Sequence, residues 1–441
     1  MRKIVLLVSM FAIAANMMAA DHVMAATKRA PKQEVPATLN LSLQEAQDYA
    51  VAQNRSLKNA DLAVQKAYAT RWQTIASMLP SVDMSWAYQS MMGYKMNFGG
   101  TPIEMPANGT LGITASVGIN GQAIVGALLN NTAIEMQKLN LEISEDNLRA
   151  SVKSSYASVL VLEDVVKLLD SSLKNIENLA AMTQRSVEVG AAEQTTADQI
   201  LVRVNTLKNN INANKRSTQL AINALKVLLN VPVETELTLT TQLSDMLSAE
   251  AIVALLGKEF VLGNNLSYQT LAKNVELAKK NVHMAGWAYG PTIGVGYQYS
   301  EKDYFGKKEG FNMTPPNALS IQVSMPLWSS GKRAAGVVEK KIALEEARNT
   351  FEETADNLGI QNEQLRYNLQ NAYETYTNEQ ENMGVTQRVF DNTSLKFQQG
   401  VASNLDLVNA SNDLITAQST YVQAVLTLVN AEVELEKFLN L

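Results

Sequence analysis

The sequence contains no cysteine, which removes disulfides, thiolate metal sites and thiol nucleophiles, and leaves no cysteine for N-terminal lipidation. Histidine is nearly as scarce, with two in 441 residues. Once the leader described below is set aside only His283 remains, so neither a histidine metal triad nor His-based activation of a nucleophile has its parts. "SSGK" at Ser329–Lys332 fails as a phosphate loop, because Pro326 stands where glycine is needed and Arg333 where Ser or Thr is needed. No cofactor, metal site or enzymatic activity is therefore expected. Past the leader no stretch of 18 uncharged apolar residues occurs, which excludes membrane-spanning helices. Concentrated positive charge is missing too: the net charge is −6, and the longest basic cluster, "TKRAPKQ", sits in an N-terminal tail, which argues against nucleic acid as a partner.

What is present begins with a leader. Arg2-Lys3 precede the apolar run "IVLLVSMFAIAA", and small residues at Ala20 and Val23–Ala25 offer cleavage sites. Residues 1–25 read as a secretory signal and 26–40 as an N-terminal tail. As a membrane anchor the run would be short of the ~20 residues a span needs.

The rest of the chain repeats itself. Asn54, Ser56, Val64, Ala67, Pro80 and Tyr88 recur as Asn265, Ser267, Val275, Ala278, Pro291 and Tyr299, each displaced by 211. Gly190-Ala-Ala192 recurs as Gly400-Val-Ala402, and Leu229-Asn230 as Leu439-Asn440, displaced by 210. The mature chain is two copies of one unit, 41–231 and 260–441, joined by a non-repeated segment at 232–259.

Each copy has the same order: a short helical stretch, a strand, a Gly/Pro/Asn-rich loop, a second strand, a very long helix, a glycine turn and another long helix. The pattern predicts long helices over 122–189, 195–229, 331–398 and 405–439. Residues 127–189 hold neither Gly nor Pro, and at 1.5 Å per residue such a helix would be ~95 Å long, beyond any globular core. Its apolar positions Leu148, Val152, Val159, Leu162, Val166, Leu169, Leu173 and Ile176 step by threes and fours, as in a coiled coil. The helices after both turns keep that alternation. Ser42 with Glu45 fits a capping box at the start of the first short helix, with a break near Asn54.

Four segments alternate with period two and are predicted as strands: 81–90, 110–120, 292–300 and 318–327. In the first, Val82, Met84, Trp86 and Tyr88 oppose Asp83, Ser85, Ala87 and Gln89. In the third, Tyr297 and Tyr299 continue the apolar face of Ile293 and Val295. Strands of about ten residues suit a bilayer crossed at a tilt, with aromatics such as Trp287, Tyr289 and Trp328 at one end and Tyr304, Phe305 and Phe311 at the other. In that reading Trp86, Tyr88, Tyr297 and Tyr299 face lipid. A soluble sandwich layer covered by helices is the lesser alternative on the alternation alone. In lipid, four strands cannot close without leaving polar edges unmet, so the barrel would be shared between chains: two, three or four copies would give 8, 12 or 16 strands.

The stretches "LSLQEAQDYAVAQNRSLKNADLAVQKA…MLPSVDMSWAY", "VEVGAAEQTTAD", "FQQGVASNLDLVNA" and "SMPLWSSGKR" resemble the outer-membrane efflux protein (TolC) family, in the family's order and over nearly the whole mature chain. The resemblance implies a mainly α chain with a membrane β part, a homotrimer sharing a 12-stranded barrel, and an α-helical tunnel across the periplasm. Its implied role is the exit duct of a tripartite efflux pump or type I secretion system. The implied partners are a periplasmic adaptor (membrane fusion) protein, an inner-membrane transporter of RND, ABC or MFS type, and outer-membrane lipid. A periplasmic adaptor and a structural envelope coiled coil are the competing classes; the first would carry one hairpin flanked by compact β-domains, and the second would not need the strands.

By the same resemblance Val189, Gly190, Ala191, Ala192, Gly400, Val401 and Ala402 form tips that meet the adaptor, where αL glycines also cap the helices. The family's acidic pair at the tunnel entrance maps onto Asp406 and Asn409, the second position having lost its charge; Asp406 also suits a helix N-terminus. Six methionines between Met78 and Met105 are soft potential ligands for Cu(I), with loop packing as the ordinary alternative. A lumen lined by Gly, Ser, Thr and Gln would select little, so the substrate is not legible.

Overall fold

In the computed structural model, residues 37–104, 106–190, 192–305 and 315–441 are described. The leader at 1–25, most of the tail, Met105, Ala191 and Phe311 lie outside them. The chain divides into two compact units.

One unit comprises Leu62–Lys138 and Thr270–Glu352. It contains the end of helix α2 (Arg55–Ala76) and strands β2 (Ser81–Gln89), β3 (Lys95–Phe98), β4 (Thr101–Glu104) and β5 (Asn108–Asn120). It also holds the start of α3 (Gly121–Glu188), most of α7 (Leu266–Gly286), β7 (Thr292–Tyr304), β8 (Asn317–Ser324) and the start of α8 (Lys332–Gln398). The main sheet has the order β2-β5-β7-β8, antiparallel throughout; β3 and β4 form a separate hairpin in the first connecting loop. Helices α3 and α7 are tied by a polar cluster. Lys273 pairs with Glu135 at 2.6 Å, and Lys280 pairs with Glu276 at 2.7 Å while donating to Thr132 Oγ1 at 2.6 Å. Hydrogen bonds from Lys280 and Lys273, partly opposed by desolvation, hold the Glu276 carboxyl down at about 2.

The other unit comprises residues 37–61, Leu139–Gln269 and Glu353–Leu441. Strand β1 (Thr38–Leu41) pairs in parallel with β6 (Glu236–Leu239). Helix α1 (Leu43–Gln53) opens on the Ser42–Glu45 capping box and ends at Asn54, in extended conformation. Helix α4 (Gln194–Leu229) and helix α9 (Asn404–Leu439) return from the glycine turns, and the inter-repeat segment adds α5 (Leu243–Met246) and α6 (Ala249–Gly257). The first core cluster gathers Ala46, Ala50, Val152, Tyr156, Leu225 and Leu229, all fully covered. Tyr156 locks the β1–β6 pair by donating to Leu41 O at 3.0 Å and accepting from Thr241 N at 3.1 Å. A second cluster joins Leu169, Ile176, Ile200, Val204, Leu207, Phe390, Leu407, Ala410 and Leu414, so the two hairpins share one seam rather than packing separately.

Several expected boundaries shift. At the end of the tail, Thr38–Leu41 forms a strand paired with β6. The second strand starts at Asn108 rather than 110, and the third runs to Tyr304 rather than 300, because the two pair along their whole length. The fourth runs over 317–324 rather than 318–327: Pro326 lacks the N–H a ladder needs, so Met325 and Leu327 leave the sheet. In the heptad seam Leu162, Val166 and Leu173 are only half-buried, whereas Tyr156, outside the heptad positions, is fully covered.

Candidate functional site

The register decides which side chains share a face of the sheet. Trp86 stands opposite Leu111, Met84 opposite Ile113 and Val82 opposite Ala115; Ile113 in turn meets Tyr299, Ala115 meets Tyr297, and Tyr297 meets Leu319. Farther along, Val117 pairs with Val295 and that with Ile321, while Ile119 pairs with Ile293 and that with Val323. Since side chains alternate strictly along a strand, directly paired residues lie on one side, and all four apolar sets coincide on one face. The other face carries Ser81, Asp83, Ser85, Thr110, Gly112, Thr114, Ser116, Gly294, Gln298, Ser320 and Gln322. Met84, Trp86, Tyr88, Leu319, Ile321 and Val323 are all exposed, giving a continuous uncovered apolar sheet face far larger than isolated surface residues produce. At one end of it Tyr88 packs on Phe305, with centroids 5.7 Å apart. Tyr297 donates to Asn317 Oδ1 at 2.7 Å and Tyr299 to Glu301 Oε2 at 3.1 Å.

Every connection between this sheet and the helices leaves from the same end, at residues 77–80, 120–121, 287–291 and 325–331. There Trp287 lies against Gly121 so closely that a Cβ at that glycine would come within 2.1 Å of the indole. Ser330 and Gly331, both at positive φ, turn the chain into α8, and so "SSGK" is a strand-to-helix turn. Arg333 stacks on Tyr289, 5.0 Å from the ring centroid, and donates to Ser329 Oγ at 2.9 Å and Pro326 O at 2.5 Å. The methionines are spread over separate elements: Met78 after α2, Met84 in β2, Met91 and Met92 in the turn beyond it, and Met96 in β3. Among the described residues no group of three or more His, Asp or Glu could hold a metal ion, and no helix is long and apolar enough to cross a membrane.

At the far ends of the long helices, Gly190 and Gly400 both adopt φ +74°, a left-handed conformation that glycine accepts without strain. The following amides fold back, Ala192 N onto Ser186 O at 3.2 Å and Val401 N onto Lys396 O at 2.8 Å, which satisfies the last carbonyls of α3 and α8. Val189 and Val401 are exposed at these turns. The two turns differ downstream. Ser403 caps α9, its Oγ accepting from Asp406 N at 3.2 Å, while Asp406 Oδ2 accepts from Ser403 N at 3.0 Å and from Ser403 Oγ at 2.7 Å. These hydrogen bonds hold the Asp406 carboxyl below its ordinary value. Glu193, the matching position of the first turn, makes no side-chain cap. Asn409 is exposed one turn beyond Asp406.

Sequence reasoning missed a buried charge cluster in the second unit. Lys153 Nζ of α3 reaches Glu432 Oε1 at 2.8 Å and Glu436 Oε2 at 2.6 Å, both on α9. Burial works against the Lys153 charge, but the two carboxylates outweigh it and raise its pKa; burial pushes the Glu432 carboxyl up despite Lys153. Its place beside the seam residue Val152 does not signal this, because Lys167 and Lys174 also follow seam residues and are exposed.

The family model described as "Outer membrane efflux protein" matches residues 47–231 and 259–441. The chain belongs to that family. Within it, the chain is 23% identical over 346 residues to the outer membrane efflux protein BepC of Brucella suis biovar 1, covering 75% of this chain and 72% of BepC. It is likewise 23% identical over 419 residues to the probable efflux pump outer membrane protein TtgC of Pseudomonas putida, covering 90% and 83%. The crystal structure of the outer membrane protein VceC of Vibrio cholerae superposes with a TM-score of 0.71 at 14% identity, covering 90% of this chain and 95% of that one. The fold is thus that of outer membrane efflux channels, with long helical hairpins and a small β part.

Proposed function

We propose that this protein is the outer-membrane exit duct of a tripartite efflux pump or type I secretion system. The observation that carries this reading is the coincidence of four apolar strand faces on one uncovered side of a sheet whose opposite side is lined mostly by Gly, Ser, Thr and Gln, with Asp83 and Lys302. Such a sheet suits lipid on one side and water on the other. Among the described residues its outer strands β2 and β8 each have one partner, and an unmet edge in lipid costs several kcal/mol per polar group. Three copies joined edge to edge, giving a shared 12-stranded barrel, meet that requirement, and three is the number that the resemblance implies.

Transport through the duct is passive, and the energy comes from an inner-membrane transporter. The glycine turns at 190 and 400 are the ends offered to a periplasmic adaptor, and the exposed valines Val189 and Val401 give that contact an apolar component. Residues 1–25 direct export, and the helices lie in the periplasm. A ring of three Asp406 carboxylates at the tunnel entrance attracts cations, although each carboxylate is already engaged by Ser403.

Expression of the full chain in a host lacking its own duct is the direct test. The reading requires heat-resistant trimers in the outer-membrane fraction and restored drug export. It also requires Gly400→Trp to abolish export while trimers persist. Release of the protein with the soluble periplasm would refute it, and full export by Gly400→Trp would refute the tip assignment.

A further inference from the structure

The end of the sheet from which the helices leave carries an unusual surface. Leu327 and Trp328 are 89% and 85% exposed, among the most exposed large apolar side chains described, and they follow directly on the apolar face of β8. Tyr289 is exposed beside the start of β7. In the ten residues that adjoin each strand end on this side (71–80, 121–130, 282–291 and 325–334), the formal charges are Arg71, Lys332 and Arg333, with no Asp or Glu.

We propose that Tyr289, Leu327, Trp328, Lys332 and Arg333 bind the glycerophosphate headgroup of an anionic phospholipid in the periplasm-facing leaflet, with Trp328 and Leu327 among the acyl chains and Arg333 and Lys332 on the phosphate. The inference rests on the lipid-facing reading of the sheet given above. Arg333 is already oriented to meet a phosphate, because the Tyr289 ring, Ser329 Oγ and Pro326 O fix its guanidinium while, among the described residues, two of its five N–H donors are used. A guanidinium held in this way presents a planar fork matched to phosphate oxygens. Lys332, exposed beside it, adds a second charge on a stem long enough to reach the interface from the first turn of α8. An uncovered Trp and Leu flanked by cations, with no acid in the four adjoining segments, match the boundary where acyl chains give way to headgroups.

Quenching of tryptophan emission by brominated lipids tests this. The full-length protein is reconstituted in phosphatidylcholine vesicles containing a minor fraction of phosphatidylglycerol, with the bromines on one lipid or the other at equal mole fraction. The difference between the parent and Trp328→Phe isolates Trp328. Brominated phosphatidylglycerol should quench Trp328 about threefold more than brominated phosphatidylcholine, and Lys332→Gln should reduce that preference. Arg333→Gln should abolish it and Arg333→Lys should restore part of it. Lys332→Gln alters only an exposed side chain and keeps the test valid if Arg333→Gln does not fold. Equal quenching by both headgroups, with Trp86 also quenched, would overturn the headgroup site and leave the lipid-facing sheet intact. Quenching of neither Trp86 nor Trp328 would overturn the membrane reading itself.

Discussion

Asn54 and Asn230 each donate a side-chain hydrogen bond to the backbone beside the other: Asn54 Nδ2 reaches Leu228 O at 2.9 Å, and Asn230 Nδ2 reaches Gln53 O at 3.2 Å. Asn54 Oδ1 also accepts from Ser56 N at 2.8 Å, which starts α2 as α1 stops, and Asn230 sits at φ +56° to end α4. The second repeat builds the same clamp from Asn265, which donates to Phe438 O at 3.1 Å, and Asn440, which donates to Asn264 O. Each clamp fastens the break before the pre-strand helix to the end of the returning long helix.

Replacing Asn54 with alanine removes a donor and an acceptor together and leaves the Ser56 amide without its cap. The expected cost is about 2 kcal/mol, seen as a lower denaturation midpoint in detergent. Asn265→Ala should cost a similar amount, because Asn265 makes the same bonds to Ser267 N and Phe438 O.

Lys153→Met should be among the most damaging single changes, at about 3 kcal/mol, because it leaves the buried Glu432 beside Glu436 with no cation. The sign with pH follows from burial, which raises the Glu432 pKa. A carboxyl whose pKa is raised on folding favours the folded state below its ordinary value and loses that contribution as pH rises through the raised one. In the variant the raising is stronger, so stability should recover as pH falls from 7 toward about 5, the opposite of the usual acid response. Lys153→Met/Glu432→Leu should regain most of the loss at neutral pH.

The second tip is secured by a capping box that the first tip lacks. Ser403→Ala should loosen the start of α9 by about 1 kcal/mol, read as faster amide exchange over residues 404–408. Asp406 has its pKa depressed, so its contribution is present above its ordinary value of about 4 and fades as pH drops through the folded value. Asp406→Asn should flatten that dependence.

Gly121→Ala should fail for steric reasons alone, since the new methyl would meet the Trp287 ring at 2.1 Å. A loss of about 1–3 kcal/mol is expected, with partial rescue by Trp287→Leu.

Adjacent positions of β8 test the two faces directly. Ile321→Arg should impair assembly into vesicles by about 2–4 kcal/mol, while Gln322→Arg, on the opposite face, should assemble normally. Equal damage from both would contradict a lipid side and a water side.

Much of this chain is legible without coordinates. The constant displacement between repeats, the Gly- and Pro-free run over 127–189 and the four alternating segments give the element order, because helix and strand periodicities are local properties of the chain. The glycines at 190 and 400 mark the reversals because only a positive φ closes them without strain. The identity of Asn54 with Asn265 is visible too, but not its use, since each partner lies more than 170 residues away.

The tertiary structure decided what depends on register and on distant neighbours. Alternation assigns two faces to each strand, but only the pairing of Trp86 with Leu111, Ala115 with Tyr297 and Tyr297 with Leu319 puts the four apolar faces on the same side, since a slip of one residue would reverse any of them. Likewise the sequence determines that Lys153 lies on a long amphipathic helix, whereas the approach of α9 decides that it is buried between two glutamates, because burial belongs to the packing of both helices and to neither alone.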